Sequence, residues 1–153
     1  MRLKQLLTGT AAPWQNTGIL IRRIGYGIIF IGHRFPKLDG GPDTWAMYGE
    51  TMRNVGIYSV PLFWGFMAGL AEFGGGVLFM LGLLFRPVCG LLLLTMTFAT
   101  INHLTQGDWF IPVSHPVEVG LVFLAFLFIG PGPYSLDATI RTGKHPGSGL
   151  SKS

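Results

Sequence analysis

Four ionisable side chains that could exchange protons lie within long apolar stretches of the chain: His33, Glu72, His103 and Glu118. An ionisable group in such a stretch is costly to bury, so each one needs either a partner or a function. Histidine and glutamate are also the side chains that most often act as general acids and bases. The pattern therefore predicts a site that takes up or releases protons, with these four residues as its candidates.

Helical spacing gives Glu72 a direction. Gly65, Gly69, Glu72 and Gly76 fall on one face of a helix. Small residues mark the faces along which membrane helices approach each other closely. We therefore expect Glu72 to point into a helix bundle, where the carboxylate either has a partner or holds a proton.

The first apolar segment ends in a cationic cluster, His33-Arg34-Phe35-Pro36-Lys37. The histidine and the lysine of this cluster share a helical face with Tyr26 and Phe30. Counted along helices at ~1.5 Å per residue, the four candidate groups all fall in the outer half of a bilayer. We expect them to meet there, with one cation of the cluster pairing with Glu72 or Glu118.

Other kinds of site receive little support. Two histidines and two glutamates resemble a metal-ligand set of a helix bundle, but no two of them share a predicted helix, so no metal is expected. The single cysteine, Cys89, predicts neither a disulfide framework nor a cysteine-ligated cluster. The net charge of +4 is not arranged as a basic stripe, so no nucleic-acid binding is expected.

The elements that must position these residues are membrane helices. Of the 153 residues, 49% are hydrophobic and only 12% are charged, which is typical of an integral membrane protein. The apolar runs are continuous rather than alternating, which favours helices over a barrel. Spanning helices are predicted over about residues 16–35, 60–85, 87–104 and 116–130. The fold class is thus an all-α bundle of four transmembrane helices, with a short interfacial helix in the first outer loop.

The last predicted helix is short for a bilayer that needs ~20 residues, so it either begins nearer Ile111 or crosses a thinner region. In the first outer loop, Asp43 or Thr44 is predicted to begin the short interfacial helix, which continues to about Asn54.

The distribution of basic residues predicts an orientation. Lysine and arginine collect near both termini and at the connection after the second helix, which places both termini in the cytoplasm of a bacterial inner membrane. Loops 36–59 and 105–115 then face outside. Arg22 and Arg23 are expected to extend to the inner membrane surface. The predicted divisions are a cytoplasmic N-terminal segment (1–15), a membrane domain (16–137) and a polar, mobile cytoplasmic tail (138–153).

Three blocks of the sequence resemble the DoxX family. The end of the first helix, Gly32-His33-Arg34-Phe35-Pro36-Lys37-Leu38, is similar to that family's "HG-x-x-KL" element, with Arg34 where glycine is usual. Glu72-Phe73-Gly74-Gly75-Gly76 and Leu81-Gly82-Leu83-Leu84-Phe85-Arg86 resemble its second-helix block. The segment Gly130-Pro131-Gly132-Pro133-Tyr134-Ser135-Leu136-Asp137 resembles its closing "GPGRYSLD". The resemblance extends over about residues 18–137.

This resemblance implies a small four-helix inner-membrane protein associated with respiratory or redox chemistry, since relatives include the membrane subunit of thiosulfate:quinone oxidoreductase. Together with the polar residues, it leads to the hypothesis of a membrane subunit of a quinone-linked oxidoreductase, with quinone near the outer leaflet. The catalytic candidates are His33, Glu72 and Glu118, and the quinone-binding candidates are Tyr26, Phe30, Lys37 and His103.

Two alternatives remain open. One is a non-enzymatic accessory or anchoring subunit whose polar residues only hold the bundle together, and the other is a small transporter. The expected partners are the lipid bilayer and other protein subunits, and the glycine-rich faces also allow a homo-oligomer.

Overall fold

The computed structural model describes residues 12–143, and every regular element in that range is helical. The elements are α1 (Ala12–Asp39), α2 (Gly41–Gly49), a 3₁₀ helix (Glu50–Val55), α3 (Pro61–Leu81), α4 (Phe85–Thr105), α5 (Phe110–Ile129) and α6 (Leu136–Thr142). The all-helical prediction is confirmed for this part of the chain. Most of the predicted N-terminal segment (1–15) and of the predicted tail (138–153) lies outside the described residues.

Helices α3, α4 and α5 are long and apolar enough to cross a membrane. Helix α1 is longer, with 28 residues, but Arg22 and Arg23 interrupt its apolar run. Helix α5 begins at Phe110, ahead of the predicted start at Pro116, and reaches 20 residues. The fourth predicted segment is therefore long enough for a bilayer of ordinary thickness.

The bundle is arranged so that α1 packs along α3, α3 against α4, and α4 against α5. Its core includes a group of phenylalanine rings that lie mostly in edge-on contact, an arrangement that aromatic quadrupoles favour. The Phe79 ring centroid lies 5.3 Å from that of Phe123 and 5.1 Å from that of Phe126. Phe30 joins α1 to this core, with its centroid 5.3 Å from that of Phe123.

A short helix is present in the first loop as α2 and the 3₁₀ helix, and it packs on the backbone of α3. It begins at Gly41 rather than with Asp43 or Thr44 as its capping residue. A Cβ atom at Gly65 would lie 1.7 Å from the carbonyl oxygen of Trp45, and one at Gly49 would lie 1.6 Å from that of Pro61. The indole N–H of Trp45 donates to the carbonyl oxygen of Leu38 at 3.0 Å. Helix α2 is thereby fixed over the last residues of α1 and the first turns of α3. We call this the α2 end of the bundle.

Arg23 lies inside the opposite end of the bundle. Its side chain is 2% exposed, and its guanidinium donates to the backbone carbonyls of Met80, Pro131 and Tyr134. The expectation that both arginines extend to the membrane surface is wrong for Arg23, because these carbonyls already satisfy its donors. Arg22 is exposed.

Asp137 closes the same end. The backbone N–H groups of Leu84 and Phe85 donate to its two carboxylate oxygens, each at 2.9 Å. The Asp137 N–H in turn donates to the carbonyl of Gly82 at 3.0 Å, at the left-handed turn that ends α3. The carboxylate thus caps the start of α4, where a negative charge is favoured.

Candidate functional site

A cavity of ≈ 310 Å³ lies beneath α2, and we call it the α2 cavity. Its walls come from α1, α3 and α4, and its cover comes from α2 and the 3₁₀ helix. A volume near the lower end of the small-molecule range is sufficient for one ring. The chemically informative lining residues are Arg34, Lys37, Glu72, His103, Tyr48, Trp64 and Phe98. A larger groove at the opposite end contains none of the predicted site residues.

Glu72 is the buried carboxylate of this cavity, with 3% of its side chain exposed. The Lys37 ammonium nitrogen Nζ lies 3.2 Å from Oε1 and 3.1 Å from Oε2, so it donates to both oxygens. Gly65, Gly69 and Gly76 are buried on the same face of α3. The predicted inward direction of Glu72 is confirmed, and Lys37 is the cation of the cluster that pairs with it.

Arg34 adds a second cation beside the same carboxylate. Its Nε lies 3.8 Å from Oε2 of Glu72, which is within ion-pair distance but too long for a hydrogen bond. One Nη donates to the sulfur of Met96 at 3.5 Å, and the guanidinium carbon lies 5.1 Å from the centre of the Phe30 ring. The Nε atom is buried and has no hydrogen-bond partner among the described residues. The guanidinium therefore lines the cavity and carries one buried donor, Nε, without a hydrogen bond.

His103 forms a second polar pair at the cavity. Its Nδ1 lies 2.7 Å from Oδ2 of Asp108, which follows α4, and both side chains are about one-third exposed. A carboxylate on Nδ1 fixes the ring and leaves Nε2 free for another partner. Nearby, the side-chain amide of Asn54 donates to that of Asn102 at 3.1 Å, which ties the 3₁₀ helix to α4.

Three predicted site residues of α1 do not line the α2 cavity. Tyr26 is 39% exposed on the outside of α1, and Phe30 is a core residue, 5% exposed, that lies below Arg34. His33 is exposed, with its ring centroid 6.1 Å from that of His115. Phe30 therefore contributes to packing, and it reaches the site only through its contact with Arg34.

Glu118 is also absent from the cavity. It is exposed on α5, whose buried face is formed by Pro116, Gly120 and Phe123. A residue two positions after Pro116 is rotated about 200° away from it on a helix, so Glu118 faces away from the bundle. The prediction that all four ionisable groups meet is thus wrong. Residues at the same depth along a bundle meet only if their helices also turn them toward each other.

Residues 12–143 contain no group of three or more His, Cys, Asp or Glu side chains arranged to hold a metal ion. Sequence reasoning missed two members of the site. Arg34 belongs to the cationic cluster of the first helix but is not among the predicted site residues, although its spacing of three from Lys37 places both on one helical face. Asp108 follows His103 by five residues across a helix end, a distance that a single turn can bridge.

Comparison with known proteins gives a family match and a similar membrane protein. The family model described as DoxX matches residues 18–105, a range that extends from α1 through the end of α4. The chain is similar to the inner membrane protein YqjF of Escherichia coli (strain K12). The two are 29% identical over 131 residues, which cover 83% of this chain and 95% of that protein. No solved structure matches the chain.

Proposed function

The chain belongs to the DoxX family of membrane proteins, and we propose that it is a membrane subunit of a redox complex that binds quinone in the α2 cavity. The observation that carries this proposal is the lining of the cavity, in which a buried Lys37–Glu72 pair lies among aromatic side chains. A mainly apolar pocket with a few convergent polar groups is the usual form of a small-molecule site.

The polar groups match what quinone chemistry requires. A quinone supplies two-electron redox chemistry, and the protein must offer donors to its oxygens and groups that exchange protons. Lys37 and Arg34 supply donors, and Glu72 is the carboxylate that exchanges a proton. His103, held through Nδ1 by Asp108, offers Nε2 as a second proton-exchanging group.

We further propose that α1 is a fourth membrane span beside α3, α4 and α5. Its 28 residues extend about 42 Å, which exceeds the ~30 Å hydrocarbon core. Three of its charged side chains bond inside the bundle rather than facing lipid, namely Arg23, Arg34 and Lys37. Internal partners of this kind are how charged residues are tolerated in membrane helices.

The positive-inside rule places both termini in the cytoplasm. With four spans, α2 then lies at the outer membrane surface as an interfacial helix, and the α2 cavity lies in the outer leaflet. In this orientation the quinone site exchanges protons with the outer side of the inner membrane.

A second candidate function is that of an accessory or anchoring subunit without redox chemistry. The observation that favours it is that the Lys37–Glu72 pair joins α1 to α3, while Arg23 joins α1 to the segment after α5. Such contacts between distant parts of the chain stabilise a bundle whether or not the cavity binds a ligand.

Quinone retention distinguishes the two functions. The full chain is purified from bacterial membranes in mild detergent, and bound quinone and bound proteins are quantified by mass spectrometry. A redox subunit is expected to retain about one quinone per chain.

Glu72→Gln is expected to reduce the amount of retained quinone by at least tenfold, because the Lys37 ammonium then loses its counter-charge in the cavity. The control Glu50→Gln changes an exposed carboxylate of the 3₁₀ helix and is expected to have no effect. A folded wild-type chain that retains a partner protein but no quinone would instead be an accessory subunit.

A further inference from the structure

The α2 cavity carries an excess of positive charge. Arg34 and Lys37 face one carboxylate, that of Glu72, and the side chains of these three residues are 18%, 13% and 3% exposed. The remaining ionisable groups of the lining are Tyr48 and His103, and the histidine already has a carboxylate partner in Asp108. An uncompensated charge in a low-dielectric site is costly, so the lining favours a ligand that brings one negative charge.

The hydrogen bonds of the two cations indicate where the negative charge of such a ligand would lie. The Lys37 ammonium is engaged by both oxygens of Glu72. The Arg34 guanidinium reaches the same carboxylate only at 3.8 Å, donates one hydrogen bond, to the Met96 sulfur, and keeps its Nε without a hydrogen bond. A guanidinium presents a planar set of donors, which can bond both oxygens of a carboxylate or one anionic oxygen and an adjacent acceptor. Arg34 is therefore the group that an anionic oxygen would contact.

The apolar part of the lining indicates what carries the charge. Tyr48, Trp64 and Phe98 are the aromatic residues that line this space of ≈ 310 Å³, and the Tyr48 ring also lies 4.5 Å from the Lys37 ammonium. Ring faces of this kind pack favourably against another aromatic ring in offset or edge-on geometry. The cavity therefore combines space for one ring with an unsatisfied cation.

We propose that the α2 cavity selects a small aromatic monoanion, a single ring whose deprotonated oxygen binds the Arg34 guanidinium. The inference rests on the proposed function in placing the ligand in this cavity, and it adds that the site prefers an anionic ring to a neutral ring of the same shape. Neutral rings of the same shape bind the same walls without compensating the excess charge.

Benzoate and benzamide test this selectivity, because they are planar, nearly equal in size and differ by one charge. Each is titrated into the purified full chain in nonionic detergent and chloride-free buffer, with binding measured by calorimetry. Benzoate is expected to bind at least tenfold more tightly than benzamide. In Arg34→Met the ratio is expected to fall to about one. The matched control Arg53→Met removes an exposed arginine of the 3₁₀ helix and is expected to preserve the ratio.

The outcomes separate this inference from the quinone proposal. Equal affinities of the two probes in the wild-type chain would overturn the anion selectivity, even if quinone is retained. A tenfold preference for benzoate without retained quinone would support the anion site and overturn the quinone function. Since the wild-type ratio needs no variant, failure of Arg34→Met to fold leaves the test intact, and a chain that binds neither probe overturns the inference.

Discussion

The Lys37–Glu72 pair offers the most direct test of how this bundle is stabilised. We consider Lys37→Met, which keeps an unbranched apolar side chain of similar length and removes only the ammonium group. In the structure that group lies 3.1 and 3.2 Å from the two oxygens of Glu72, and 13% of the lysine side chain is exposed. The substitution leaves a buried carboxylate with Arg34 as its remaining cation.

The size of the effect follows from these distances. At 3.1 Å and an effective dielectric constant of ~20, two unit charges attract by about 5 kcal/mol. Removing one partner of a buried pair costs ~3–5 kcal/mol, because the other charge stays desolvated. Arg34, at 3.8 Å from the same carboxylate, compensates part of the loss. We therefore expect Lys37→Met to lower the free energy of unfolding by about 3 kcal/mol.

The control is Arg53→Met, which breaks an ion pair of similar length in a different environment. Arg53 and Glu50 lie 3.4 Å apart, with 55% and 56% of their side chains exposed. Such surface pairs contribute ~0–1 kcal/mol. Both variants are unfolded by titration with a denaturing detergent, with helix content followed by circular dichroism. Equal losses of stability in the two variants would refute the reasoning, since the shielding of Glu72 would then have no energetic consequence.

Two further predictions concern packing and the opposite end of the bundle. Gly65→Ala is expected to lower the thermal unfolding midpoint sharply, since the added methyl would lie 1.7 Å from the carbonyl oxygen of Trp45 and overpacking costs ~1–3 kcal/mol or more. The control Gly74→Ala has open space at its Cβ position and is expected to be neutral or stabilising. A similar drop of the unfolding midpoint in Gly65→Ala and Gly74→Ala would contradict the close α2–α3 contact. Arg23→Met is expected to lower the free energy of unfolding by about 2–4 kcal/mol, because three backbone carbonyls lose their charged donor. The control Arg22→Met, which changes an exposed arginine, is expected to have little effect. Equal losses of stability in the two variants, measured by calorimetry, would argue against the internal position of Arg23.

Periodicity predicted those features of the site that one helix determines. The small-residue face of α3 placed Glu72 toward the bundle, and the structure has that face buried. The cationic end of α1 was expected to supply a partner for this carboxylate, and Lys37 does so. Both inferences require only the 3.6-residue repeat and the cost of burying a charge.

Features that depend on how helices rotate against each other were not predictable in the same way. Glu118 has the appropriate depth, but α5 turns its Pro116 face toward α4, so the carboxylate is exposed. Arg23 lacked any local signal, because its acceptors are backbone carbonyls contributed by distant segments. Side-chain periodicity carries no information about such acceptors, since every residue has a carbonyl group.

The acceptors of Arg23 also have a consequence for how the protein is made. They lie 57, 108 and 111 residues further along the chain, so the ribosome has synthesised α5 and the segment after it before the third acceptor exists. Until then, the Arg23 donors that later contact Pro131 and Tyr134 must be satisfied by water or by other polar groups. The segment between α5 and α6 therefore completes the burial of Arg23, and a chain truncated before Pro131 would leave two nitrogens of its guanidinium without these acceptors.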